Sequence, residues 1–228
     1  IAAEIEHNLD FLASSYPDVP DRHRSLRAVF EHSWKLLSEE ERLVLMQVSV
    51  FRGGFQIAAT RQVAGAETDV LASLLCKSLV FLEGGECRYQ LHATIRRYAE
   101  EKLEEQSVLA QQTRSRHAVY FADYMHQREA SLRGSQQMRV QVEIGDEMQN
   151  VYAAWQWAIS QSDQALLSRL MHGLYLYYEA RSWFDEGGRV FQQAVDKVKT
   201  LTGDDSASKT LLARLLPRQA VFFRQLSQ

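Results

Sequence analysis

Residues 79–91 have the sequence Leu79-Val80-Phe81-Leu82-Glu83-Gly84-Gly85-Glu86-Cys87-Arg88-Tyr89-Gln90-Leu91. A short apolar run leads into a turn with two glycines, and polar and apolar residues alternate after the turn. This pattern is typical of two strands joined in a β-hairpin. We predict one small hairpin here, with helices on both sides of it.

Several short helices are predicted around the hairpin. Ser38 has the position of an N-cap, and Glu41 lies at capping-box spacing from it. Apolar spacing predicts helices over residues 26–37, about 57–63, about 68–75 and about 93–105. Short helices around one hairpin are typical of a winged-helix domain.

The remainder of the chain, residues 108–228, has helical periodicity without strand patterns. The predicted helices run roughly over 108–131, 135–161, 163–180, 183–199 and 206–226. Short links between consecutive antiparallel helices favour a bundle or a solenoid. The predicted fold class is therefore mainly α: a winged-helix domain with one small β-hairpin, followed by a TPR-like α-α superhelix.

An internal pattern supports the solenoid. The tetratricopeptide (TPR) offsets are occupied by Leu174, Tyr178, Gly187, Phe191 and Ala194, with a weak echo at Ala153, Trp157 and Ser160. The last helix, with Leu216, Ala220 and Phe223, is similar to the first helix of another repeat. Because such a helix needs its partner, we expect the chain to be truncated at Gln228.

Bulk properties exclude several classes of protein. The chain has 228 residues and a formal net charge of -3, with a sequence pI near 6.2. It therefore has no global basic field for nucleic acid or anionic membrane. No apolar run is long enough to span a membrane, and two cysteines, Cys76 and Cys87, favour a reduced cytoplasmic setting.

Motifs for catalysis and metal binding are missing from the sequence. No G-x-x-x-x-G-K-[ST] phosphate loop occurs, and the seven histidines form no zinc-binding pair. We expect no catalytic residues, no metal and no cofactor in this chain itself. Cys76 is expected to be a buried small hydrophobe, and most acidic residues are expected to be solvated caps or surface charge.

Blocks of sequence follow one another in a specific order. They are Arg22-His23-Arg24-Ser25-Leu26-Arg27-Ala28-Val29-Phe30-Glu31-His32-Ser33-Trp34, Ser49-Val50-Phe51-Arg52-Gly53-Gly54-Phe55, Lys77-Ser78-Leu79-Val80, Tyr89-Gln90-Leu91-His92 and Arg96-Arg97-Tyr98-Ala99-Glu100-Glu101-Lys102-Leu103. In this order they resemble the segment after the nucleotide-binding core of STAND-class (NB-ARC-like) ATPases. The resemblance is closest to bacterial transcriptional regulators of the LuxR and AfsR-like type.

The resemblance implies a division of the chain. Residues 1–21 would be the tail of an upstream helical region, 22–107 the winged-helix domain, and 108–228 the TPR-like region. In that family an upstream domain binds ATP or ADP, and the winged helix packs on that domain and responds to its nucleotide. The repeat array binds a protein or small-molecule inducer, and DNA binding belongs to a separate domain.

The resemblance also assigns a nucleotide-sensing residue, His92. The family motif is Met-His-Asp, and the matching positions here are Leu91, His92 and Ala93, so the His is kept and the Asp is lost. A His just before a helix N-terminus is suited to a phosphate because exposed N–H groups favour an anion. The alternative is a partly exposed His that caps the hairpin.

Two further groups have a functional and a structural interpretation. Tyr177, Arg181 and Trp183 are candidates for binding a protein or ligand on the array, and Tyr177 is predicted to be exposed because it lies off the Leu174–Tyr178 face. The alternative is packing between helices. Arg96-Arg97 either contacts phosphate or pairs with Glu100 and Glu101 on a solvated helix face.

We therefore predict a non-catalytic segment of a cytoplasmic signal-transduction ATPase and transcriptional regulator. One alternative is a DNA-binding winged-helix regulator, which the acidic helix Glu67–Lys77 and the acidic turn Glu83–Glu86 disfavour. Another is a stand-alone TPR scaffold. A helical enzyme is a third, with no motif in its favour.

Overall fold

The computed structural model describes residues 26–83, 88–201 and 206–226. The chain divides into two compact units, up to His117 and from Ala118 onward. The chain passes from one unit to the other within a single helix, α6. The predicted tail, residues 1–21, lies outside the described residues.

The first unit contains short helices and three short strands. Its elements are α1 (Leu26–Lys35), α2 (Glu39–Val48), β1 (Phe55–Gln56), α3 (Ile57–Ala64), α4 (Thr68–Cys76), β2 (Phe81–Leu82), β3 (Arg88–Gln90), α5 (Ala93–Glu104) and the first part of α6 (Ser107–Arg128).

The predicted hairpin is confirmed, and it belongs to a three-stranded antiparallel sheet of order β1-β3-β2. Phe81 is paired with Gln90 in the hairpin, and Phe55 of β1 is paired with Tyr89 on the other side of β3. Strand β1 was not predicted, because two residues are too few to show an alternating pattern. Residues 84–87 of the turn, with Cys87, lie outside the described residues.

The two glycines before β1 let the chain approach β3 closely. Gly53 and Gly54 have φ angles of 71° and 87°, a region that other residues rarely adopt. A Cβ atom on Gly54 would lie 2.9 Å from the carbonyl oxygen of Tyr89. The Arg88 guanidinium donates to the carbonyl of Gly53 at 2.8 Å and fixes this bend.

The Glu41 carboxylate connects the start of α2 to the end of α4. The predicted capping box is present: Ser38 N–H donates to Glu41 Oε2 (2.7 Å), and Glu41 N–H donates to Ser38 Oγ (3.1 Å). Ser73 Oγ donates to Glu41 Oε1 (2.6 Å), and Lys77 Nζ donates to both carboxylate oxygens (2.6 Å each). Glu41 is buried and is therefore an exception to the expectation that most acidic residues are solvated, whereas Glu39 and Glu40 are exposed.

The exposure of Cys76 also differs from the prediction. The residue was expected to be buried, but it is exposed at the end of α4. The buried positions of this helix are Leu71 and Leu74, so the apolar residues near Cys76 in sequence point to a different side.

The second unit is built from long helices. After the rest of α6 come a 3-10 turn (Ser131–Arg133), α7 (Gln137–Ser160), α8 (Gln164–Ala180), α9 (Phe184–Leu201) and α10 (Ser206–Leu226). The predicted helices agree with these bounds to within about three residues. Ser162 and Ser182, with φ angles of 57° and 56°, provide the left-handed residue that ends α7 and α8.

The residues that fit the tetratricopeptide offsets are in the core of this unit. Leu174, Tyr178, Phe191 and Ala194 are at most 1% exposed. A Cβ on Gly187 would lie 2.9 Å from the ring of Phe222, so α10 packs closely on α9. The echo positions do not form a matching buried face, because Ser160 is exposed and Ala153 is half-buried.

The last helix packs through a different face from the one expected. Leu211, Leu215 and Phe222 are buried, while Leu216 and Phe223 are 41% and 44% exposed. The fold is mainly α, as predicted. None of the described helices is long and apolar enough to cross a membrane.

Replacement of Glu41 by Gln should lower stability in a pH-dependent way. The donors from Lys77, Ser73 and Ser38 lower the pKa of Glu41 from 4.5 to about 2. Such a group stabilises the fold above its unfolded pKa, and the effect is lost as pH falls from about 4.5 to about 2. Because the Lys77 side chain is 39% exposed and screened by solvent, we expect a loss of about 2–3 kcal/mol at pH 7.

Urea unfolding of the wild-type protein and the Glu41→Gln variant between pH 7 and pH 2 measures this effect. Glu40→Gln is the matched control, since Glu40 is exposed in the same helical turn, and it should change stability by less than about 0.5 kcal/mol. Equal losses for the two variants, or a loss that does not diminish toward pH 2, would contradict the assignment.

Candidate functional site

The predicted sensor His92 lies where the sheet ends and α5 begins. It occupies the N-cap position of α5 with φ -58° and ψ 143°, and its side chain makes no capping hydrogen bond. The imidazole is exposed and stacks on the Phe81 ring of β2, with centroids 4.5 Å apart. The hairpin therefore orients this side chain, while its nitrogens make no hydrogen bond with described residues.

A surface depression of about 530 Å³ adjoins this helix start. Its lining residues are Arg52, Ala93, Arg96, Arg97, Glu100, Glu101 and Glu104. Arg97 pairs with Glu101 at 3.3 Å, which confirms this predicted (i, i+4) pair. Glu100 forms an ion pair with Arg52 at 2.7 Å. A phosphate in this depression would compete with carboxylates for the arginines.

Tyr177, Arg181 and Trp183 are brought together in the second unit. The Arg181 guanidinium lies 4.9 Å from the Trp183 ring and 5.7 Å from the Tyr177 ring. The two rings meet edge to face with centroids 6.0 Å apart. Arg181 is exposed, and no described residue forms an ion pair with it.

The prediction that Tyr177 is exposed is wrong. Tyr177 is fully buried, whereas Trp183 is 42% exposed. Helix α8 packs against α7, α9 and α10, so positions off the Leu174–Tyr178 face are covered as well. The Tyr177 hydroxyl has no hydrogen-bond partner among the described residues, and a Cβ on Gly145 of α7 would lie 3.4 Å from it.

The accessible part of the predicted set is therefore Arg181 with Trp183. An exposed Trp stacked on an Arg without a carboxylate partner is typical of an interface hot spot. Tyr177 supports both side chains from beneath and is itself out of reach of a partner.

A cavity of about 190 Å³ lies among the ends of α7, α8, α9 and α10. No local sequence pattern indicates it, because its walls come from four helices. At its wall Gln164 Nε2 donates to Ser208 Oγ (3.1 Å). The space is large enough for a ligand of about the size of benzene. It is lined by Ile159, Ser162, Gln164, Leu167, Ala194, Lys197, Val198, Ser208 and Leu211.

No cluster of metal-binding side chains occurs in the part of the chain that the structure describes. Over residues 26–83, 88–201 and 206–226, no three His, Cys, Asp or Glu side chains are grouped so that they could hold an ion.

Comparisons with known proteins identify transcriptional regulators. A protein from Mycobacterium bovis and one from Mycobacterium tuberculosis, each named "Putative HTH-type transcriptional regulator", are 33% identical to the chain over 171 residues. These residues cover 68% of this chain and 19% of each relative, so the chain spans about a fifth of the length of the curated relatives it matches. No protein-family model and no solved structure matches the chain.

The environment of the buried Tyr177 hydroxyl can be tested by substitution. Tyr177→Phe should leave the free energy of unfolding unchanged or raise it by about 1 kcal/mol, because a buried hydroxyl without a partner is unfavourable. Tyr124→Phe is the matched control: its hydroxyl donates to the carbonyl of Glu143 at 2.8 Å, and its loss should cost about 1 kcal/mol.

Chemical denaturation of both variants provides the measurement. If Tyr177→Phe destabilises the protein as much as Tyr124→Phe does, the Tyr177 hydroxyl has a partner and the set is organised differently.

Proposed function

We propose that this chain is a non-catalytic relay segment of a transcriptional regulator that is also a STAND-class signalling ATPase. The similarity to the mycobacterial regulators carries the regulatory part of this proposal. The ordered sequence blocks and the exposed His92 at a helix start support the nucleotide-responsive part. The protein would act in the cytoplasm.

In this proposal His92 reads the nucleotide of an upstream domain. Its exposed imidazole lies beside the first turn of α5, where the N–H groups and the helix dipole favour an anion. The stacking on Phe81 restricts the ring without using its nitrogens, so a nitrogen remains to donate to a phosphate of ADP or ATP. The chain itself contributes no phosphate loop, so nucleotide hydrolysis belongs to the upstream domain.

The helical unit is the proposed receiver of the signal. Arg181 and Trp183 offer an exposed cation and an aromatic surface to a protein or small-molecule inducer. The cavity among α7 to α10 is a second place where a small ligand would fit. Coupling requires two states of the protein, an inhibited one with nucleotide bound and an active one. The inducer has to bind the active state more strongly, so that it shifts the protein away from the inhibited state.

Direct DNA recognition by the first unit is the second candidate, because the relatives are named HTH-type regulators. In a winged helix the helix before the hairpin, here α4, would enter the major groove. Glu67 and Asp69 are exposed there, and the Lys77 ammonium is held by Glu41. This surface therefore presents acids to DNA phosphates, and we favour DNA binding by another part of the regulator.

The nucleotide role is tested with the longer protein that contains this chain and the proposed upstream domain. His92→Ala should weaken ADP binding at least about tenfold, because a hydrogen bond to a charged phosphate is lost. His32→Ala is the matched control, since His32 is also exposed in the first unit. Calorimetry gives both affinities.

If the wild-type protein and the His92→Ala variant bind ADP with equal affinity, His92 is not the nucleotide sensor. The chain would then act only as a protein-interaction scaffold. Binding of ADP by the present chain alone would also contradict the proposal, because it would place the nucleotide site within residues 1–228.

The DNA alternative has its own test on the solvent face of α4. Ala72 is exposed there, and Ala72→Glu adds a charge that phosphates would repel. If α4 reads DNA, this variant should lose affinity at least about tenfold in fluorescence anisotropy with operator DNA. We expect no change, and a marked loss would favour the alternative.

A further inference from the structure

Three arginines lie close enough to His172 in the second unit to lower its pKa. Arg133 comes from the 3-10 turn, and Arg214 and Arg218 come from α10, while His172 and Tyr175 lie on α8. The imidazole of His172 stacks parallel to the Tyr175 ring at 6.5 Å, and the Arg218 guanidinium lies 5.9 Å from the same ring. The Arg218 cation therefore lies beside an aromatic pair, and two further cations lie near His172.

These arginines have no carboxylate partners among the described residues. Other arginines of the unit do: Arg128 pairs with Glu143 at 3.4 Å, and Arg189 pairs with Asp185 at 2.9 Å. Of the nearby acids, Glu129 is 3.5 Å from His126 Nδ1, and Glu179 accepts from the Tyr175 hydroxyl at 2.8 Å; neither makes an ion pair with the three arginines. The local positive charge contrasts with the chain's net charge of -3.

Two nitrogen atoms of the cluster are shielded from water and have no hydrogen-bond partner within the part of the chain that the structure describes. They are Nδ1 of His172 and Nε of Arg218. Arg218 Nη1 donates to the carbonyl of Arg214 at 2.8 Å, which holds the guanidinium in place. A shielded donor without an acceptor is costly, particularly on a charged group.

The protonation equilibria agree with an uncompensated cluster. Burial lowers the pKa of His172, and Arg218, Arg133 and Arg214 lower it further, while Glu129 acts in the opposite direction. Burial and then Arg214 also lower the pKa of Arg218, against the opposing effect of Tyr175 and Glu129. A bound anion would reverse these effects by adding negative charge.

We propose that Arg133, Arg214 and Arg218, with His172 and Tyr175, form a binding site for a phosphate group. One carboxylate would neutralise a single arginine, whereas a phosphate group carries nearly two charges and offers oxygens to several guanidinium forks. The phosphate belongs either to a free phosphorylated ligand or to a nucleic-acid backbone. This site is independent of His92 and of the proposed ATPase.

The site is tested by NMR titration of the His172 imidazole in the present chain, with the signal assigned from His172→Gln. Pyrophosphate and a short DNA duplex are the two probes. Pyrophosphate should raise the pKa of His172. In the free protein Arg218→Met should also raise it, because a like charge is removed, and it should weaken pyrophosphate binding at least about tenfold.

Arg224→Met is the matched control, because Arg224 is exposed on the same helix and its replacement removes the same charge. It should leave both the pKa of His172 and the affinity unchanged. If Arg218→Met fails to fold, Arg214→Met takes its place, since Arg214 is exposed.

The probes separate the two sources of phosphate. A response to pyrophosphate without a response to DNA supports a free phosphorylated ligand, and a salt-sensitive response to DNA supports the backbone. No change of the His172 pKa with either probe, or an equal loss of affinity in Arg224→Met, would overturn the site. None of these results depends on nucleotide binding through His92.

Discussion

The first unit depends on the compensation of one buried carboxylate, that of Glu41. A charge removed from water has to be matched by donors, and here they come from the start of α2 and from Ser73 and Lys77 of α4 and its end. Fixing Lys77 fixes the turn at Ser78, whose φ of 55° directs Leu79 and Val80 into the core. The hairpin begins there, and β3 leads to His92 at the start of α5.

Paired arginines such as Arg128 and Arg189 occur in the second unit, but some of its other arginines lack, among the described residues, the carboxylate partners found in the first unit. In the first unit, Arg52 and Arg97 form ion pairs with acidic residues of α5, so the charges of these arginines are compensated within the protein. In the second, Arg181 and the cluster around His172 have no such partners in the described chain. An arginine that is paired within the protein has to give up its carboxylate before it can bind an external anion. An arginine without such a partner can bind an anion directly. The second unit is therefore the better candidate for receiving an external ligand.

Local sequence predicted those parts of the candidate sites that local geometry controls. The position of His92 at the junction of hairpin and helix follows from turn chemistry and periodicity, and so does the placement of Arg181 and Trp183 at a helix end. The burial of Tyr177 did not follow, because it depends on how many helices cover α8. The cluster around His172 was missed for a similar reason: its members lie about 40 residues apart and form no motif.

The sequence by itself determined the mainly helical fold, the hairpin, the capping box at Ser38 and the helix bounds, because propensity, capping and periodicity act over a few residues. Tertiary structure alone decided the third strand at Phe55, the exposure of Cys76 and the burial of Glu41. It also decided which arginines are left without partners. These properties depend on distances between residues far apart in the chain, and a single sequence does not contain those distances.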